Sequence, residues 1–236
     1  MKKMKKITFV IALTCSVLVV CTPQAEAAPP LISAHRGGWV GGYPDNSARA
    51  FAVTHQYAKV LETDVRETSD HEPIFTHDPP GSKTYAQMRV GGSAGTGDLA
   101  KFMQRSSSHY ALVEVKQSSY SSLFWTNFNV ALGKYASRII FYSLSSNNQV
   151  RDIRIKYGYK AMYHPRSGVP TPTRSQILYV GNYVWRSPCS YSSTARVGIR
   201  FLTGLRETRS EFAAARKCAP WSIITDYART AVIQGW

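Results

Sequence analysis

Val60-Leu61-Glu62-Thr63-Asp64-Val65 is a short apolar run that carries two acids near its end. It reads as a β-strand. Side chains two apart on a strand share a face, so Val60, Glu62 and Asp64 point one way and Leu61 and Val65 the other. Carboxylates side by side on an inward face repel unless a cation or hydrogen bonds compensate. The pattern recurs along the chain. Leu31–Ala34 runs into His35-Arg36-Gly37-Gly38, and Pro73–Thr76 into His77-Asp78. Tyr110–Val115 carries Glu114, with Lys116 next on the same face. In a parallel barrel the C-terminal strand ends converge on one mouth, where the following loops build the active site.

Strands alternate with helices along the rest of the chain, which predicts an α/β fold: a compact, single-domain (β/α)₈ TIM barrel. The eight expected strands are 31–34, 60–65, 73–76, 110–115, 138–142, 159–163, 196–203 and 221–225, with 177–184 as a candidate extra strand. Helices are expected over 48–59, capped by Ser47, and over 98–105, 123–135, 147–157 and 207–217. The stretch Gly91–Gly97 lacks the Gly-Lys-Ser/Thr ending of a nucleotide loop and reads as a flexible connection. His164–Ser175, with three prolines, reads as a loop.

The N-terminus has the form of a secretory signal. Lys2, Lys3, Lys5 and Lys6 precede the apolar stretch Ile7–Val20, and Ala25-Glu26-Ala27 fits a cleavage site. Residues 1–27 are therefore expected to be removed, leaving a domain at 28–236 that is exported, either extracellular or periplasmic. The apolar stretch is too short for a membrane span, and no transmembrane segment is expected in the mature chain. The leader takes four lysines and one glutamate with it, leaving 25 basic and 13 acidic residues, a formal +12. That charge suits an anionic substrate, anionic envelope polymers or a lipid surface, or serves solubility alone. Nucleic acid is not an expected partner. Of four cysteines only Cys189 and Cys218 remain, and an oxidising compartment predicts a disulfide between them.

Each site residue also has a plainer reading. Glu62 and Asp64 alone are solvated strand-end acids. Glu114 on a second strand changes the balance, because three convergent carboxylates make an oxygen site for Mg²⁺ or Ca²⁺. A lone strand-end histidine is usually structural, whereas His35 and His77 beside a metal suit general acid–base catalysis. Arg36 and Lys116 suit a phosphate. His55, His71, His109 and His164 lack such neighbours and read as structural or exposed.

In order and wording, six segments resemble the glycerophosphodiester phosphodiesterase family. They are His35-Arg36-Gly37, Pro44-Asp45-Asn46-Ser47, Glu62-Thr63-Asp64, His77-Asp78, Glu114-Val115-Lys116 and Thr225-Asp226-Tyr227. The resemblance runs from about Leu31 to Val232. It implies a TIM barrel that hydrolyses glycerophosphodiesters to glycerol phosphate and an alcohol. It also implies a divalent cation on Glu62, Asp64 and Glu114, with His35 and His77 as acid and base. Asp45 stands where the family has glutamate. Arg200-Phe201-Leu202-Thr203-Gly204 replaces a segment whose tryptophan walls the family's pocket, with Phe201 or Leu202 as the substitute.

Two other readings compete. One is a phospholipase D-like enzyme acting on lysophospholipids or sphingomyelin, which needs an apolar lip such as Trp39-Val40 or Tyr179–Trp185. The other is a catalytically inactive cationic surface-binding module. The intact set of His35, Glu62, Asp64, His77 and Glu114 argues against the second.

Overall fold

The computed structural model describes residues 29–38, 42–164, 179–182, 189 and 200–236. The expected leader and most of the proline-rich loop lie outside them. Ten strands are present among the described residues: β1 (Leu31–Ala34), β2 (Val60–Glu67), β3 (Pro73–Phe75), β4 (Ala94–Gly95), β5 (Tyr110–Val115), β6 (Ile139–Tyr142), β7 (Lys160–Tyr163), β8 (Tyr179–Asn182), β9 (Arg200–Thr203) and β10 (Ser222–Thr225). Eight close into a parallel ring in the order β1-β2-β5-β6-β7-β8-β9-β10, with β10 pairing back to β1. The fold is a TIM barrel, as the alternation of elements implies.

The membership of the ring differs from expectation at two places. Strand β3 is antiparallel to β2 and lies outside the barrel, where it pairs with β4. The reason is the length of the connection. Residues 68–72 form a tight turn in which Thr68 N–H donates to the Glu72 carbonyl at 3.0 Å. Such a turn can only return antiparallel, because a parallel partner needs a crossover of about a dozen residues or more. The vacancy is filled by β8, the stretch foreseen only as an extra strand.

Among the described residues seven α-helices accompany the sheet: α1 (Ala48–Thr54), α2 (Tyr85–Val90), α3 (Thr96–Gln104), α4 (Ser122–Leu132), α5 (Asn147–Tyr157), α6 (Arg209–Arg216) and α7 (Ala228–Ile233). Ser47 caps α1, its Oγ accepting from Ala50 N–H at 3.1 Å. The glycine-rich stretch is more ordered than its composition implies. Ala94 N–H donates to the Asn46 carbonyl at 2.7 Å. The Asp98 carboxylate accepts from Gly95 N–H at 3.0 Å, so α3 starts two residues before Asp98. Helix α2 has a capping box between Thr84 and Gln87 and is not visible in the apolar pattern.

Alternation on the strands separates two apolar layers. Leu61, Val65, Val113 and Phe141 face outward onto Phe51, Leu99, Phe102, Phe124 and Phe128 from the helices. Val60, Leu112, Ile140, Met162 and Leu202 fill the barrel interior. At the N-terminal end of the strands Trp221 packs edge-on against Tyr110 and Tyr179, each at 5.1 Å between ring centroids. Arg200 lies 5.5 Å from the Trp221 ring. Aromatic and cation–π contacts thus plug the barrel floor. Tyr179, expected as part of an apolar lip, is buried in this floor.

Cys189 and Cys218 form the expected disulfide, with Cα atoms 5.1 Å apart and a separation of 29 residues. In the chain-entropy model a loop of that size stabilises by about 3–4 kcal/mol. Replacing both cysteines by serine is expected to lower the unfolding free energy by that amount in a urea titration. An unchanged midpoint would show that the bridge contributes nothing.

Candidate active site

Glu62, Asp64 and Glu114 meet at the C-terminal mouth of the barrel. All three are buried, and one carboxylate oxygen from each lies within 4.8 Å of the others. The register explains the meeting. Asp64 on β2 sits beside Glu114 on β5, and Glu62 is two residues below Asp64 on the same inward face. Burial raises the Glu62 carboxyl above the usual range, and the charges of Asp64 and Glu114 push the same way, against the pull of His35. Burial also raises Glu114, against the pull of Lys116. Such a cluster fits a hard divalent cation, whose charge would offset the burial and the mutual repulsion that raise Glu62 and Glu114.

Asp64 behaves differently. Burial acts to raise it, but Lys116, Asn46 and Arg36 hold it below the usual carboxylate range. Lys116 Nζ lies 3.1 Å from Asp64 and 2.9 Å from Glu114. Arg36 Nε lies 3.0 Å from Asp64. Arg36 and Lys116 therefore sit beside the acidic cluster, paired with its carboxylates.

The backbone at β1's end makes this geometry. Arg36 takes a left-handed conformation with φ 50°. This turn points its N–H at Glu62 Oε2, 2.9 Å away. Gly37 follows with φ 94°, and a Cβ there would sit 2.8 Å from the Cβ of Ala50. Only glycine permits that approach of the turn to α1.

His35 is the best-placed of the two expected histidines. Its Nδ1 is hydrogen-bonded to Asp226 Oδ1 at 2.6 Å, and its Nε2 is 3.8 Å from Glu62. Burial lowers its pKa, but the charge of Glu62 and the bond to Asp226 outweigh this and raise it to about 9. His77 follows β3, not a barrel strand. The hairpin still brings it to the mouth: Thr76 N–H donates to the Asp64 carbonyl at 3.0 Å, and Arg66 Nε to the His77 carbonyl at 2.8 Å. Its ring is exposed, and Asp78, 3.0 Å away, is the acid it meets among the described residues.

Four further residues shape the site. Asp226 orients His35. Tyr142, on the inward face of β6, donates to Glu62 Oε1 at 2.5 Å. Asn46 donates to Asp64 Oδ2 at 2.9 Å and accepts from the Thr63 hydroxyl at 2.7 Å. His164, taken from the sequence as structural or exposed, is half-buried at the end of β7 and lines the pocket. Asp226 and Asn46 stand within quoted motifs, so their neighbours could have flagged them. Tyr142 and His164 end apolar strands, and the inward parity of β6 and β7 was the available signal. Asp45 reaches the site only indirectly, through Arg36 at 3.3 Å.

Asn46 also has φ 54°, a conformation asparagine tolerates better than alanine. Asn46→Ala should therefore destabilise by about 2–4 kcal/mol, since it adds backbone strain and leaves buried Thr63 and Asp64 groups unsatisfied. Urea unfolding of the variant checks this, and a loss below about 1 kcal/mol would contradict it.

No family model matches the chain, and no curated protein matches it in sequence. Solved structures do. A phosphodiesterase from Oleispira antarctica, in complex with the product sn-glycerol-3-phosphate, superposes with a TM-score of 0.67 at 16% identity, over 88% of this chain and 96% of that one. A glycerophosphodiester phosphodiesterase from Parabacteroides distasonis gives 0.67 at 16% identity, over 88% and 98%. One from Thermotoga maritima gives 0.62 at 15%, over 86% and 98%. The likeness establishes a barrel of the same fold over nearly the whole length of those proteins. Among the described residues, no helix is long and apolar enough to cross a membrane.

Proposed function

We propose that the chain is an exported, metal-dependent phosphodiesterase of the glycerophosphodiester phosphodiesterase family, which cleaves glycerophosphodiesters to glycerol phosphate and an alcohol. The observation that carries this reading is the buried triad of Glu62, Asp64 and Glu114 beside His35 at the mouth of the barrel. The product complex of the Oleispira antarctica phosphodiesterase, a barrel of the same fold, supports it.

Glu62, Asp64 and Glu114 would hold the cation, Mg²⁺ or Ca²⁺, which supplies Lewis-acid stabilisation of charge on the phosphoryl oxygens. Arg36 and Lys116 add positive charge at the same rim and orient the phosphate. His35 and His77 share two proton transfers. One takes the proton of the nucleophile, a water or the neighbouring hydroxyl of the glycerol. The other gives a proton to the leaving alkoxide. Asp226 fixes the ring of His35 for its part.

The test is release of free alcohol from glycerophosphocholine, with and without a strong chelator, beside a lysophospholipid. Chelator-sensitive turnover of the glycerol diester is expected. Turnover of the lysolipid alone would favour the phospholipase D-like reading, and no turnover of either would favour a binding module. Export predicts a mature N-terminus at Ala28 in a secreting host, and retention of the leader on the released protein would refute it.

A further inference from the structure

Every strand of the ring runs from the plugged floor to the mouth. The stretch between the last turn of a helix and the first residue of the next ring strand therefore lies at the floor. Six exposed cations occupy such stretches: Lys59 before β2, Arg105 before β5, Lys134 before β6, Lys156 before β7, and Arg216 and Lys217 before β10. Arg138, Lys160 and Arg200 join them at the starts of β6, β7 and β9. Arg138 donates to the carbonyls of Met103, Ser106 and His109, and the other two lie over the ring of Tyr179.

No acidic side chain answers them. All 13 acids beyond position 28 are among the described residues. They sit on the mouth side of the strands, in the connections above it, or in the first turns of α3 and α6. Asp152, midway along α5, is paired with Arg151 at 3.0 Å. Residues 165–178 and 183–199 contain no aspartate or glutamate, so they bring no negative side chain to either end. At the mouth Arg36 and Lys116 are paired with carboxylates, whereas none of the six exposed floor cations forms an ion pair with a described carboxylate. Charge is thus sorted along the barrel axis, acidic at the mouth and basic at the floor.

We infer that the floor of the barrel is a docking surface for a bilayer rich in anionic phospholipid, with the mouth turned to the water. The cations are spread round the ring from β2 to β10, not lined along one groove. A flat sheet of negative charge meets all of them at once, whereas a polymer strand follows a track. Val130, Ile155 and Ile233, in the last turns of α4, α5 and α7, are 83%, 75% and 66% exposed. Aliphatic groups at this end of the helices gain from the headgroup boundary of a bilayer and gain nothing from a polyanion in water. The same surface repels the acidic mouth, which fixes the orientation. Docking stands on the placement of charge. Its consequence rests on the phosphodiesterase reading: a mouth turned away from the lipid takes water-soluble glycerophosphodiesters, not lipids held in that bilayer.

The experiment is co-sedimentation with vesicles of equal parts phosphatidylcholine and phosphatidylglycerol, beside vesicles of phosphatidylcholine alone. The wild type is expected to bind the mixed vesicles only, and to leave them as salt screens the attraction. Lys59→Gln with Arg105→Gln, and Arg216→Gln with Lys217→Gln, should each weaken binding by on the order of 10-fold, since each cation near such a surface is worth about fivefold. Lys83→Gln with Arg209→Gln removes the same charge from exposed positions on the mouth side, and should change binding by less than about twofold. All six positions are exposed, and melting curves confirm that each pair of changes leaves the fold intact. Equal losses from floor and mouth pairs, or no preference for the mixed vesicles, overturns the docking surface. Tighter binding to long-chain polyphosphate than to the vesicles overturns the lipid assignment in favour of a polymer. Turnover of glycerophosphocholine should persist with saturating mixed vesicles, and its suppression there overturns the orientation. Absence of turnover without vesicles as well would overturn the phosphodiesterase reading and leave the docking result standing.

Discussion

Alanine in place of His35 or His77 is expected to reduce turnover by on the order of 10²–10⁴-fold while leaving the fold and cation affinity nearly intact. General acid–base groups act on the transition state, not on the folded state. Added Mg²⁺ or Ca²⁺ should restore nothing, because a missing proton carrier cannot be replaced by mass action. Asp226→Asn should show a smaller loss, since it removes the partner that orients His35 at 2.6 Å and leaves the imidazole in the site. Single-turnover measurements with a cation titration check all three. Full rescue of His77→Ala by cation would sink the acid–base role.

Neutralising the acids is expected to separate Glu62 from Asp64. Burial already disfavours the charge on Glu62, so Glu62→Gln should cost the metal-free fold little. It should weaken cation affinity by at least the ~10–100-fold typical of lost outer partners, and high cation should recover much of the activity. Asp64 has two cations against it, Arg36 and Lys116, and an amide from Asn46. Asp64→Asn leaves those charges poorly compensated, and a broken buried pair costs about 3–5 kcal/mol. The Asp64 variant should therefore lose stability as well as affinity. Denaturant titration with chelator present, followed by cation titration of activity, tells the two apart. Equal stabilities of the two variants would contradict the assignment, as would wild-type turnover indifferent to a chelator.

The acids and His35 could be read from the sequence because strand parity and strand ends follow from local pattern. Val60, Glu62 and Asp64 alternate with Leu61 and Val65, and the structure places each on its expected face. Strand order is a different kind of information. Pro73–Phe75 has the composition of a barrel strand, and only the short 68–72 connection reveals that it must turn back. Tyr179–Asn182 was ambiguous because Gly181 and Asn182 interrupt its apolar run, yet Gly181 is glycine to make room for His164. His164 itself has no motif around it. Its place in the pocket depends on β8 being a ring strand, which the local pattern does not contain.

His35 and His77 are anchored to different pieces of framework. His35 is fixed by the ring through β1 and by Asp226 at the end of β10. His77 is carried by β3, which pairs on one side with β4 and on the other with β2, the barrel strand that bears Glu62 and Asp64. The spacing between the two histidines is thus set by how the hairpin sits on β2. Phe75 lies opposite Val65, and the Ala94 N–H donates to the carbonyl of Asn46, whose side chain holds Asp64. Substitutions at these two buried positions are therefore expected to disturb His77 and the acidic cluster together.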